Sequence, residues 1–193
     1  MVRALDVKLA TVFAVLGALS GLASAMIGIE RPLEGLQPVA SVFGMHPSLL
    51  PVGVCFALAM GMAAFVALRT LWPLLPVMLA TLYGWSGAVH IAIRLQRNIG
   101  DEAHLLAASL AAGAFGAGLV FVGFAIAAPQ LRQWRGLAIT SGVGALAGLL
   151  FAAGERGLVH KQALFLIWQP AVALTIGALL ARASRDAGDK SAV

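Results

Sequence analysis

An all-α polytopic membrane protein, with six transmembrane helices in a compact bundle, is the fold this sequence predicts, on three observations. Apolar residues make up 61% of the 193 and charged residues 11%, whereas about a quarter of a soluble domain is charged. The mean hydropathy is +0.94. The apolar residues also fall into six runs of spanning length, because a hydrocarbon core of about 30 Å needs roughly 20 helical residues at about 1.5 Å each. The six runs and their loops occupy residues 1–182, the membrane domain. The polar stretch 183–193 is expected to be a disordered cytoplasmic tail.

The first run, Leu9 to Ile29, follows MVRALDVK and contains Ala23-Ser24-Ala25, which has the small-residue pattern of a signal-peptidase site. A signal peptide cleaved near residue 25 is the competing reading. The run continues to spanning length, beyond a typical apolar signal core, and is therefore expected to be a retained first span. Gly17 and Gly21 form a small-xxx-small pair that admits a closely packed second helix. Residues 30–48, with three Pro and many apolar residues, suit a segment lying against the membrane. The second span is expected over Leu49 to Leu68, the third over Leu74 to Ile93 after a Trp72-Pro73 turn, and the fourth over Leu105 to Ala127. Pro129 and a short basic loop lead to the fifth, Leu137 to Ala153, with a second small pair at Gly144 and Gly148. GERGLVHKQ turns the chain into the sixth, Leu158 to Ala181, with Gln169-Pro170 at its middle, where a proline removes one helical hydrogen bond.

Six spans put both termini on one side. That side holds eight Lys and Arg (Arg3, Lys8, Arg69, Arg132, Arg135, Arg182, Arg185 and Lys190), and the other holds five (Arg31, Arg94, Arg97, Arg156 and Lys161). Positive residues stay cytoplasmic, so an inner-membrane protein with cytoplasmic termini is expected. The net charge of +5 is scattered between apolar runs, without the patch that nucleic acid would require. All four His and five of the eight acidic residues then lie on the outer half.

The candidate site residues come from that half. Tyr83, Ser86, His90 and Arg94 recur at helical spacing on one face of the third span, and an ionisable residue within a span commonly serves a ligand or a pathway. Asp101 and His104 are three apart at the head of the fourth span. Either the carboxylate orients the imidazole, or Asp101 and Glu102 act as cap and first-turn acids. Glu155 and Arg156 lie in the densest charged turn. His90, Arg94, His104, Glu155 and Arg156 are therefore the expected ligand-binding residues. If any metal binds, His46, His90, His104 and His160 are its candidate ligands, for zinc with an open position; for haem, which needs two ligands at matching depth, only His90 lies deep enough in a span. No HExxH or CxxC supports either, so no cofactor is expected. Cys55 has no partner for a disulfide.

GERGLVHKQALFLIWQPAVAL resembles the ending of an uncharacterised six-helix bacterial membrane family, the domain of unknown function 998, through Glu155, Arg156 and Trp168. LQPVASVFGMHPSLL is similar to its segment before the second span, at Ser41, and DEAHLLAASLAAGAFG to its fourth-span head, at His104. The loop RLQRNIG departs from the family pattern. The resemblance implies the six-span fold and no established activity.

The function expected is a non-enzymatic membrane protein that binds or passes a small or amphipathic ligand, including a lipid, at an outward-facing polar pocket. A metal-dependent intramembrane hydrolase is the alternative. A packing subunit, whose small-residue stripes meet a membrane-protein partner, is a third reading.

Overall fold

The computed structural model describes residues 2–27, 37–42, 49–98 and 102–190. Among these the chain is all helical: α1 (Val2–Ile27), α2 (Gln37–Val42), α3 (Leu50–Leu68), α4 (Leu74–Asn98), α5 (Glu102–Ala127), a 3-10 turn at Pro129–Leu131, α6 (Trp134–Glu155) and α7 (Ala163–Lys190). Six of them, all but α2, are long and apolar enough to cross a membrane. The chain is thus a multi-pass membrane protein, and the lipid bilayer is its environment.

Each long helix packs against its neighbour in sequence, and α7 closes on α1, so the six form a ring. The proline-marked turns set several boundaries. α3 starts with Pro51 in its first turn, where no amide donor is lost. It ends at Arg69, whose left-handed backbone (φ 56°) returns its N–H to the Phe65 carbonyl at 2.8 Å. Several expected boundaries move, those of the last two helices among them. α6 begins at Trp134 rather than near Leu137, and α7 begins at Ala163 and runs through the expected tail to Lys190. No proline follows Ala181 to stop the helix, which continues past the expected apolar span through Arg182 and Arg185 to Lys190.

Within lipid, apolar surface gives no preference for helix over solvent, so close approach of small residues supplies the packing. Gly17 and Gly21 of α1 lie against the α7 backbone: a Cβ on Gly17 would meet the Pro170 Cα at 2.8 Å, and one on Gly21 would meet the Phe165 carbonyl oxygen at 2.5 Å. Gly144 and Gly148 of α6 lie likewise on Gly113 and Ser109 of α5. Both glycine pairs are used inside the bundle. The partner surface expected of them is therefore already occupied by the chain's own helices.

The main core, including Phe13, Phe56, Met60, Val77, Phe121, Phe124, Trp168 and Ile176, fills the half of the ring nearer the termini. A second cluster, with Leu49, Leu50, Val52, Trp85 and Phe165, lies at the opposite end, and Ala40 of α2 is fully buried in it. This end carries the polar residues singled out in sequence.

Candidate functional site

The GERG turn is a helix C-cap. Gly157 takes a left-handed backbone (φ 69°), its N–H bonds the Gly154 carbonyl at 3.1 Å, and Leu158 N–H bonds the Ala153 carbonyl at 2.9 Å. These are the two bonds of a Schellman motif, which needs glycine or asparagine at that place. The turn reverses the chain tightly, and Lys161 returns over the end of α6. Its Nζ lies 3.0 Å from Glu155 Oε1. Arg156 points elsewhere, placing a guanidinium nitrogen 2.7 Å from Glu102 Oε1 at the head of α5. Two adjacent residues thus pair with different parts of the chain, Glu155 with the turn before α7 and Arg156 with the head of α5.

Below the Glu155–Lys161 pair, a pocket of about 400 Å³ opens between α4, α5, α6 and α7. Small residues make it. Ala88 and Ala92 of α4, Ala112 and Gly113 of α5 and Gly148 of α6 leave the space that larger side chains would fill, and Trp85, Phe151, Phe165 and Trp168 supply aromatic walls. From Glu155 to Gly148 it extends about 10 Å along α6.

The polar groups in its walls are already engaged. Trp85 Nε1–H donates to the Leu49 carbonyl at 3.0 Å. Trp168 Nε1–H donates to the Gly144 carbonyl at 3.1 Å, and Ser109 Oγ–H to the Leu105 carbonyl at 2.7 Å. Trp85 is held edge-on to Phe165, and Trp168 edge-on to Phe56, at ring separations of 5.7 and 5.5 Å. The depth of the pocket is apolar, and its charge is confined to Glu155 and Lys161.

Of the expected ligand-binding residues, only Glu155 lines this pocket. His90 is half-buried on α4, and its Nδ1–H donates to the Ser86 carbonyl of its own helix at 2.8 Å. Arg94 is exposed one turn further on. Tyr83, on the same stripe, is 47% exposed, whereas Ser86 is buried, so the stripe follows the boundary between bundle and lipid. His104 is half-buried on α5, one turn before Ser109, and His160 is exposed in the turn before α7. Ser41 is exposed, and its hydroxyl donates to the Pro38 carbonyl at 2.7 Å. Asp101 and His46 lie outside the described residues.

Among the described residues, no three His, Cys, Asp or Glu side chains come together as a metal would require. His90, His104 and His160 remain on separate elements. Sequence reasoning named Lys161 only for its charge and Trp168 only through the family resemblance, and placed neither at a pocket. The available signal was a cation six positions after Glu155, across a glycine cap.

Comparison of the chain with protein-family models, with curated proteins and with solved structures gives no match.

Proposed function

We propose that this membrane protein binds a small amphipathic molecule in the pocket between α4, α5, α6 and α7. The observation that carries the reading is the division of the pocket into an apolar depth and a charged mouth. Its volume of about 400 Å³ falls within the range of small-molecule sites, roughly 300–1,000 Å³. The tryptophan and serine donors in the walls already serve backbone carbonyls, so the inner part of a ligand gains nothing from polar groups. Its head meets Glu155 and Lys161. No comparable observation favours a hydrolase.

Filling the pocket tests this. Val89 lies in the wall and is half-buried, so Val89→Phe takes up space without entering the main core. Energy transfer from tryptophan to the neutral amphiphile phenylnaphthylamine, on purified protein, is expected to show saturable binding. In Val89→Phe the affinity should fall about tenfold or more, a loss of at least ~1.4 kcal/mol, with the melting temperature retained. Equal affinity in the two proteins would refute the assignment.

We further propose an inner-membrane location with the termini cytoplasmic and the pocket facing outward. Lys8, Arg69, Arg132, Arg135, Arg182 and Arg185 are all exposed at the terminal end, as expected for the cytoplasmic side. A reporter fused after Val193 should be active only as a cytoplasmic enzyme; periplasmic activity would reverse the orientation.

A further inference from the structure

The two charges at the pocket mouth are not equally replaceable. The Glu155 side chain is 28% exposed and that of Lys161 is 68% exposed, so the ammonium can swing into water at little cost, whereas the carboxylate is partly withdrawn from it. An ion pair this open contributes little to stability. Glu155 is also the last residue of α6, where the helix dipole presents its negative end and favours a cation beside it. If an anionic head took Lys161, it would leave Glu155 unpaired at the worst end of a helix. A cationic head takes Glu155 and leaves Lys161 to solvent.

One other feature points the same way. The walls hold Trp85, Phe151, Phe165 and Trp168, and aromatic rings attract organic cations as well as hydrocarbon.

We propose that the pocket takes a hydrophobic organic cation, whose charge replaces the Lys161 ammonium at Glu155 and whose apolar body lies among the four aromatic rings. The proposal rests on the pocket being the binding site and adds the charge of its occupant.

The test uses two probes of nearly the same shape and opposite charge, tetraphenylphosphonium and tetraphenylborate, measured by equilibrium binding to the purified full chain. The phosphonium is expected to bind about tenfold or more tightly than the borate. Glu155→Gln should abolish that preference, while Lys161→Gln should tighten phosphonium binding, an effect in the direction that misfolding cannot produce. Preference for the borate, or phosphonium binding unchanged in Glu155→Gln, would overturn the cation assignment. If phenylnaphthylamine binding still responds to Val89→Phe in that case, the pocket reading survives. If no probe responds to Val89→Phe, both fail.

Discussion

Gly144→Leu is expected to abolish recovery of folded protein, whereas Gly142→Leu, two residues earlier on the same helix, should be nearly neutral. A Cβ on Gly144 would run into the Ala117 Cβ and the Gly113 carbonyl oxygen across the α5–α6 crossing, and one on Gly113 would meet the Gly144 carbonyl in return. Neither obstacle on α5 is the far end of a flexible side chain, so the two backbones must separate. Overpacking a tight site costs about 1–3 kcal/mol and sometimes more, which Gly144→Ala should already show. Leucine adds three more carbons in the same place. The Gly144 carbonyl also accepts the Trp168 N–H from α7, so separating α5 from α6 disturbs a second helix pair and the pocket floor. Stabilities of whole domains are only about 5–15 kcal/mol, and this helix has few other anchors: its buried residues are mostly glycines. A Cβ on Gly142 meets nothing within 4 Å, so its leucine faces lipid and should change stability by no more than about 0.5 kcal/mol. Thermal aggregation followed by size-exclusion chromatography compares the two. Similar melting temperatures would mean that this crossing does not hold the bundle together.

The contrast between Gly142 and Gly144 also shows what a sequence of this kind makes legible. The number of spans was readable because bilayer thickness fixes the length of each apolar run, and the four-residue spacing of Gly17 with Gly21, and of Gly144 with Gly148, marked faces built for close approach. Spacing does not say which helix fills such a face. The structure assigns α7 to the first pair and α5 to the second. The polar residues singled out in sequence lie at the same end of the bundle as the pocket, but of the expected ligand-binding residues only Glu155 lines it. His90 turns its Nδ1 to a carbonyl of its own helix, a partner present in any helix and therefore silent in sequence. Glu155 and Arg156 looked like one charged unit, yet adjacent residues on a helix diverge by about 100°, and each found a different partner. The pocket has no pattern of its own. It is the space left where Ala88, Ala92, Ala112, Gly113 and Gly148 meet, and in a chain 61% apolar those residues look like any other packing surface until the helices are placed.

Gly21→Leu is expected to release α1 from α7 and to lose ligand binding with it, a larger effect than removing the whole hydrogen-bonded seam beside it. That seam is buried: Ser20 Oγ–H donates to Gln169 Oε1 at 2.6 Å, and Gln169 Nε2–H donates to Ser24 Oγ at 3.0 Å. Bonds of this type between membrane helices average about 0.6 kcal/mol each. Replacing both serines by alanine costs more than that sum, because the Gln169 amide is then left without partners at about 1–3 kcal/mol. Replacing all three, with Gln169→Leu, removes the polar groups together and should come close to neutral. Gly21 offers no such compensation. Its Cβ position lies 2.5 Å from the Phe165 carbonyl oxygen and 3.3 Å from the Leu166 Cα, and these are backbone atoms of a helix that Pro170 already deprives of one internal hydrogen bond. A leucine there must push α7 outward. Leu164, Phe165 and Trp168 of α7 line the pocket, so the displacement reaches the site within one helical turn. The triple variant should therefore keep phenylnaphthylamine affinity within about twofold, and Gly21→Leu should lose it along with most of its thermal stability. If the triple variant were instead the more damaging of the two, the α1–α7 contact would be held by its polar groups rather than by backbone proximity, and the retained serines would be what sets the position of α7 at the pocket.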